Sequence, residues 1–250
     1  MLRIFRTLRN RFLSQNHFGR YALYALGEIL LVVIGILIAL QINNWNEERA
    51  NREYQRTMLL QVREALETDV RLLEDEIPYA ERYLGSVHAL VALKNDPSLP
   101  QDSLYTHLQR VMSYGAIFTV NQSPYDAIVS GGLDRISNPE IRKGLSQLYG
   151  FTLENAKTWI NEVLRTELFD KKQLFARIFG LKVTMNDRQR MDTSVRLTDP
   201  SVIYDNPDFD LLLSTSGWVI PGTLANYRNL IAEMRALSEQ IDTELKNLGE

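Results

Sequence analysis

An uninterrupted apolar run near the N-terminus constrains this chain more than any other feature. Residues 21–42 read YALYALGEILLVVIGILIALQI, with Glu28 as the one acidic or basic side chain and no proline. A helix of these 22 residues rises about 33 Å, which matches a hydrocarbon core of about 30 Å. The run therefore predicts a transmembrane helix, and the lipid bilayer is the first partner that we expect.

Two other interpretations of the run are open. A cleaved signal peptide would have an apolar core of about 7–15 residues followed by a small-x-small cleavage site. Here the run is longer and ends in Ala39-Leu40-Gln41, which is a poor site. A buried core helix also fits less well, because the run is apolar on all sides. An uncleaved anchor is the interpretation that the pattern favours.

The flanks of the run predict its orientation. Residues 1–20 contain five arginines and no acidic residue: Arg3, Arg6, Arg9, Arg11 and Arg20. On the other side, Glu47 and Glu48 precede the first arginine. Lys and Arg are retained on the cytoplasmic side. We therefore expect a cytoplasmic N-terminus and a bacterial inner-membrane protein whose residues 43–250 lie in the periplasm.

The basic segment 1–20 has a pattern of its own. Leu2, Phe5, Leu8 and Phe12 follow one another at spacings of three and four, with arginines between them. On a helix this spacing gives an amphipathic surface suited to an anionic cytoplasmic leaflet. A charged topology signal without an ordered helix is the equally open alternative.

Charge and cysteine content narrow the function classes. The 250-residue chain has a net charge of −3, and setting aside the five arginines of residues 1–20 leaves −8 for the rest. An acidic domain disfavours nucleic-acid binding. The chain has no cysteine, so disulfides, cysteine nucleophiles and thiolate metal sites are excluded. About 200 residues suffice for one domain with a real core.

A long helix is predicted directly after the span, from residue 44 to residue 93. Its apolar positions recur at steps of three and four: Leu59, Val62, Leu66, Val70, Leu73, Ile77, Ala80, Leu84, Val87 and Val91. This near-heptad seam fits the core of a single-chain bundle, with an intermolecular coiled coil as the alternative. Pro78 interrupts the pattern and predicts a kink or a break near Glu76.

The remaining sequence is also rich in helix signals. Helices are predicted over residues 102–114, from Ser123-Pro124 to Gly131-Gly132, after Asn138-Pro139, and over residues 152–181, 208–213 and 223–248. Residues 182–206 are predicted to form a loop, with room for one short strand. The expected fold class is all-α: a single N-terminal transmembrane helix, a long kinked helix, and an antiparallel helical-bundle extracytoplasmic domain.

Two stretches resemble a known family. The anchor run YALYALGEILLVVIGILIALQINNWNEER and the middle run YDAIVSGGLDRISNPEIRKGLSQLYGF are similar to signatures of an uncharacterised family of single-pass inner-membrane proteins from Bacteroidota. The middle run departs from the pattern at Ile128, where Leu is usual, and at Gly150, where Tyr is usual. The resemblance implies an anchored bacterial protein with an α-helical periplasmic domain, and it implies no activity.

Within the span, one acidic residue and one face of small residues are candidate contact positions. Glu28 lies about two turns inside the cytoplasmic edge, where a carboxylate is costly unless it is protonated, paired or near water. It therefore marks either a contact to a partner helix or a residue that reaches water or Arg20. Gly27, Gly35 and Ala39 share a face through which two helices could approach closely. Self-association or a protein partner is expected there.

No catalytic, cofactor or metal site is predicted. His17, His88 and His107 have no metal-ligand spacing, and Asp205, Asp208 and Asp210 fit helix capping better than a calcium loop. We therefore expect no enzyme. The expected function is a membrane-anchored interaction or scaffold protein, or an accessory subunit of a bacterial envelope complex. A periplasmic ligand-sensing module that acts through a partner protein is the alternative.

Overall fold

The computed structural model describes residues 17–249, and these residues are mostly helical. In chain order the elements are α1 (His17–Asn95), α2 (Leu104–Ser113), α3 (Ser123–Gly131), α4 (Pro139–Gln147), α5 (Leu153–Thr158), α6 (Arg165–Ile178), β1 (Leu181–Met185), β2 (Met191–Val195) and α7 (Pro207–Gly249). Two π-helical stretches, Leu148–Thr152 and Trp159–Leu164, join α4, α5 and α6.

Contacts divide the chain into two units, with the boundary between Tyr54 and Gln55. The first unit contains the N-terminal part of α1, and its apolar side chains are exposed: Leu31 is 74% exposed and Ile38 is 56% exposed. None of this apolar stretch is buried. As the sequence predicted, α1 is apolar and long enough here to cross a membrane, by length and composition.

The second unit, from Gln55, has its own core. Along α1 the buried positions include Leu59, Val62, Leu66, Val70, Leu73, Ala80 and Val87, each at most 8% exposed. These are positions of the predicted seam, and they pack within this chain's own core. Beyond Ala80 the prediction holds at Val87 but is wrong at its other positions: Tyr83 and Leu90 are buried, whereas Leu84 is half-buried and Val91 is 37% exposed. The apolar spacing missed Tyr83 because its hydroxyl needs polar partners.

The predicted break near Glu76 does not occur, since α1 continues through Pro78 to Asn95. A proline inside a helix removes one backbone donor and costs about 3 kcal/mol. Pro78 is exposed, so the carbonyl that it leaves unpaired can be hydrated. Leu73 and Ala80 are buried on either side of it, and their packing holds the helix together.

The last helix, α7, runs antiparallel to the part of α1 that follows Gln55. Arg63 pairs with Asp242 at 3.0 Å, Glu81 pairs with Arg228 at 2.7 Å, and Glu74 pairs with Arg235. The residue numbers of the partners decrease along α7 as they increase along α1, which is the order expected of antiparallel helices. Such exposed pairs contribute at most about 1 kcal/mol each, so they set register while the apolar core supplies most of the stabilisation.

Two predicted helices, 208–213 and 223–248, are one element. Ser, Thr, Gly and Pro between residues 214 and 222 suggested a boundary, but α7 continues through Pro221. Tertiary packing overrides these local signals: Val219, Ile220, Thr223 and Leu224 are all buried. Trp159 lies against Gly222 and donates from its indole Nε1 to Thr223 Oγ1 at 3.0 Å.

The expectation of an all-α fold is wrong in one place. The predicted loop 182–206 contains an antiparallel hairpin in which Leu181 pairs with Val195 and Met185 pairs with Met191. Its residues are exposed except near Val195, which is 3% exposed. The Val195 backbone N–H donates to Gln109 Oε1 of α2 at 3.0 Å, which fixes the hairpin to the helical core.

Candidate functional site

Three buried polar side chains from three helices meet in the core of the second unit. They are Tyr83 of α1, Glu167 of α6 and Ser216 of α7, and each is at most 7% exposed. Ser216 Oγ donates to Glu167 Oε1 at 2.7 Å. Tyr83 Oη lies 2.7 Å from Ser216 Oγ and 3.2 Å from the same carboxylate oxygen. Because buried polar groups need partners, this cluster fixes how the three helices meet.

The second carboxylate oxygen of Glu167 is left without a partner. Oε2 is buried and makes no hydrogen bond to any group in residues 17–249. An unpaired buried acceptor costs roughly 1–3 kcal/mol. Burial raises the pKa of Tyr83, and the nearby Glu167 charge raises it further. The buried Glu167 carboxylate therefore lowers the stability of the fold, and an apolar side chain at this position would avoid that cost.

Lys171 lies one turn after Glu167 on α6 and is 2% exposed. Its Nζ donates to the Tyr114 carbonyl oxygen at 3.3 Å and lies 4.8 Å from the Tyr83 ring centroid and 5.5 Å from the Tyr114 ring centroid. Burial lowers the pKa of Lys171 to about 8, an effect that the Glu167 carboxylate opposes. Two aromatic faces and a carbonyl thus compensate in part for the lost hydration of the ammonium group.

Glu167 and Lys171 also line an open cavity of about 400 Å³. Its walls are apolar and come from the second π-helical stretch, α6 and α7: Val163, Leu174, Leu211, Trp218 and Val219. The polar lining residues are Glu162, Thr166, Glu167, Asp170, Lys171 and Thr215. This volume lies within the range of about 300–1,000 Å³ that is typical of small-molecule sites, as does an apolar lining with few polar groups.

A second, smaller cavity of about 230 Å³ shares Tyr83 and Tyr114 with the cluster. It is lined by Tyr79, Arg82, Tyr83, Arg110, Ser113, Tyr114 and Gly115. The Arg82 guanidinium lies 4.5 Å from the Tyr79 ring centroid. Its two arginines are exposed at the surface, whereas the charged groups of the larger cavity include two that are buried. The larger cavity is therefore the stronger candidate site.

The predicted transmembrane contact residues belong to the first unit, and they line neither of the two cavities. Gly27, Glu28, Gly35 and Ala39 belong to the exposed apolar part of α1. A Cβ added at Gly27 or Gly35 would meet nothing within 4 Å, so both positions are open to a neighbouring helix. Arg3, Arg6, Arg9 and Arg11 lie outside the described residues, and so does the side chain of Arg20.

The acidic residues near the start of α7 have structural roles. The predicted capping by these aspartates is wrong: Asn206 accepts hydrogen bonds from the backbone N–H groups of Asp208 and Phe209, so Asn206 is the capping residue. Asp208 pairs with Arg177 at 3.3 Å and Asp210 pairs with Lys94 at 2.7 Å. Across residues 17–249, no three His, Asp or Glu side chains are grouped so that they could hold a metal ion.

Sequence reasoning missed Glu167, Lys171 and Ser216, although a signal exists for the first two. On α6, Glu167 and Lys171 occupy steps of three and four between the buried positions Leu164 and Leu174. A charged residue on the apolar face of a helix is unusual, because burying an unpaired charge is costly.

A comparison with family profiles places the chain. Residues 28–175 match a family described as "Family of unknown function (DUF6090)". The chain belongs to this family. The matched region begins at Glu28 within the apolar run and includes Tyr83, Glu167 and Lys171, whereas Ser216 and Trp218 lie beyond it. No curated protein and no solved structure matches the chain.

Proposed function

We propose that this protein is a membrane-anchored, non-enzymatic interaction protein of the bacterial inner membrane. Residues 21–42 span the bilayer, the arginine-rich N-terminus is cytoplasmic, and the helical domain lies in the periplasm as a scaffold or accessory subunit of an envelope complex. The carrying observation is the exposed apolar stretch of α1, since a surface of this size in water would be strongly unfavourable.

The polar cluster supports binding or packing better than catalysis. Ser216 is fully buried, and its hydroxyl hydrogen-bonds a carboxylate that is shared with Tyr83. A serine nucleophile needs an adjacent base, and its own hydroxyl must be accessible to a substrate. In the span, Glu28 and the open face of Gly27, Gly35 and Ala39 favour contact with another transmembrane helix.

A topology experiment tests the anchor and its orientation. A reporter that is active only outside the cytoplasm is fused to the C-terminus of the full chain, and a cytoplasm-active reporter is fused to a matched copy. We expect activity from the first fusion alone, and the protein should stay in the membrane fraction after washing at high salt and alkaline pH. Activity from the cytoplasmic reporter alone would contradict the proposed orientation.

A second experiment tests the interaction role. The tagged full chain is cross-linked in intact cells, extracted in mild detergent and sized by light scattering coupled to chromatography. We expect a species heavier than the monomer that contains a second copy or a defined partner. A Glu28→Leu variant serves as the comparison, because it preserves the span and removes its carboxylate. A monomer without a partner in both samples would refute the interaction role.

A ligand-sensing module is the second candidate function, and the cavity beside Glu167 favours it. Cavities between helices of a bundle are common ligand sites. Here a buried carboxylate with an unpaired oxygen and a buried ammonium line one such cavity. Under this alternative, the domain would bind a small molecule and pass the signal to another protein through the span.

A further inference from the structure

The charge of the larger cavity indicates which ligands it can accept. Three carboxylates and one ammonium line it: those of Glu162, Glu167 and Asp170 against that of Lys171. Glu162 and Asp170 lie exposed at its mouth, and neither makes an ion pair within the described residues. The lining therefore has an excess of negative charge, which attracts a cation and repels an anion.

The walls of the cavity select against a bare, hydrated cation. Val163, Leu174, Leu211 and Val219 are apolar, and the Trp218 side chain is 63% exposed although it is large and aromatic. Among aromatic side chains, tryptophan binds an organic cation most strongly over the face of its ring. The Trp218 ring also contacts the Trp159 ring, with 5.6 Å between centroids, and most of the Trp218 side chain stays exposed. Apolar walls, this exposed indole and acidic groups together suit a ligand that has both a hydrocarbon body and a positive charge.

Glu167 provides an observation that is independent of the exposed acids. It is 7% exposed, it lines the cavity, and its Oε2 has no hydrogen-bond partner in residues 17–249. Its other oxygen is held by Ser216 and by Tyr83, so the carboxylate is fixed in place. Because Oε2 is itself buried, Glu167 acts on a ligand in the cavity through its negative charge and not by direct contact with this oxygen.

We propose that this cavity binds a small amphipathic organic cation, with Trp218 contacting its apolar body and Glu162, Asp170 and Glu167 attracting its charge. This inference rests on the ligand-sensing alternative, and it names the chemical class of that ligand. Organic amines with one ring or a short alkyl chain fit a volume of about 400 Å³.

The test compares three probes of similar size and different charge. Benzylammonium, benzyl alcohol and benzoate are titrated by calorimetry into the full chain in a non-ionic detergent at neutral pH, with micelles alone as the blank. We expect benzylammonium to bind about 10-fold more tightly than benzyl alcohol, with benzoate weaker still. Its affinity should fall as salt is raised, because the rim carboxylates are exposed.

Two variants and a matched control locate the binding. Trp218→Leu should weaken benzylammonium binding by about 3-fold to 5-fold, as expected for the loss of one cation–π contact. The double change Glu162→Gln and Asp170→Asn should weaken it by a similar or larger factor. The control, Asp187→Asn with Glu239→Gln, removes the same charge from two exposed positions that do not line the cavity, and it should leave affinity unchanged.

The outcomes separate this inference from the interaction function. Equal or tighter binding of benzoate, absence of binding by all three probes, or equal affinity in the cavity variants and the control would each overturn the inference. None of these results bears on the reporter and cross-linking experiments above. Conversely, a monomer without a partner in those experiments would refute the interaction role, and probe binding in the cavity would still support the inference drawn here.

Discussion

Gly222 of α7 lies against the ring of Trp159, which belongs to the second π-helical stretch. A Cβ placed there would fall well inside contact distance of the Trp159 ring, and that ring is held by its hydrogen bond to Thr223. We predict that Gly222→Ala lowers the free energy of unfolding by about 1–3 kcal/mol through overpacking. Chemical unfolding of the detergent-solubilised protein, followed by circular dichroism, measures the change.

Gly217 is the matched control for this prediction, because it lies in the same helix with nothing within 4 Å of an added Cβ. Gly217→Ala should therefore be neutral or stabilise the protein by up to about 1 kcal/mol, as helix propensity dictates. Equal effects of the two substitutions would show that Trp159 does not constrain Gly222.

We predict that the free energy of unfolding depends on pH in the alkaline range, because of Lys171. Its pKa is lowered by burial from 10.5 to about 8, so between these values the unfolded chain binds more protons than the folded one. Stability should then rise with pH from about 8 to about 10, by up to about 1.4 kcal/mol per unit. Above pH 10 the buried tyrosines oppose the rise, because burial raises the pKa of Tyr83 and Tyr114.

The measurement is the unfolding free energy at several pH values between 7 and 10. Lys171→Met should remove most of the rise, since methionine has no proton to release. Lys246→Met should preserve it, because Lys246 is an exposed lysine near the end of α7. A rise that persists in Lys171→Met would assign it to another group.

For individual residues, the sequence predicts which apolar side chains are buried more readily than it predicts which polar side chains are buried beside them in the core. The apolar spacing correctly selects Leu59, Val62 and Leu66. It passes over Tyr83 and Ser216, because their burial depends on hydrogen-bond partners that lie 133 residues apart in the chain. Local patterns carry no information about such pairs. The part of the candidate site on α6 does have a local signal, since Glu167 and Lys171 lie on the apolar face of their helix.

At the scale of elements, α1 combines an exposed apolar stretch with a buried seam. The seam prediction can be tested by one substitution at two neighbouring positions, Leu66, which is fully buried, and Leu72, which is 47% exposed. Leu66→Ala should cost about 2–5 kcal/mol by leaving a cavity. Leu72→Ala should change stability by no more than about 0.5 kcal/mol.

Both substitutions replace leucine by alanine in the middle of the same helix, so helix propensity cancels from the comparison. The unfolding midpoint in urea measures the difference. If the two variants are equally destabilised, the difference in burial between Leu66 and Leu72 would not hold in solution. The seam would then be buried by another chain or not at all, which would contradict the single-chain core described above.

Element boundaries follow from the sequence only where local signals and packing agree. The start of α4 was predicted from Asn138-Pro139, and Asn138 does accept hydrogen bonds from the Glu140 and Ile141 backbone N–H groups. Pro78 and Pro221 are breaking signals that the core overrides. The loop 182–206 was predicted with room for one short strand, and the β1–β2 hairpin has two. Residues Leu181 to Met185 alternate apolar and polar side chains as a strand does, but both strands are only five residues long and largely exposed, so the sequence signal is weak.

For the whole molecule, the proposed transmembrane span has a face of small residues that a second helix could approach. Gly27, Gly35 and Ala39 recur along one face, and the added-Cβ positions at both glycines are unobstructed. Close approach of two helices depends on such small residues, because no hydrophobic effect drives association within lipid. A bulky side chain at Gly35 or Ala39 would hold the two backbones apart.

We predict that Gly35→Ile with Ala39→Ile lowers the fraction of cross-linked dimer by at least about 5-fold, which corresponds to roughly 1 kcal/mol of lost helix packing. Ala22→Ile is the control, since at 3.6 residues per turn position 22 is turned by about 140° from Gly35 and about 100° from Ala39, off the face that these two residues share. The dimer fraction is measured by cross-linking in membranes at fixed protein-to-lipid ratio. An unchanged dimer fraction in the double variant would transfer the association to Glu28 or to the helical domain, and a dimer lost equally in the control would indicate a general defect of insertion.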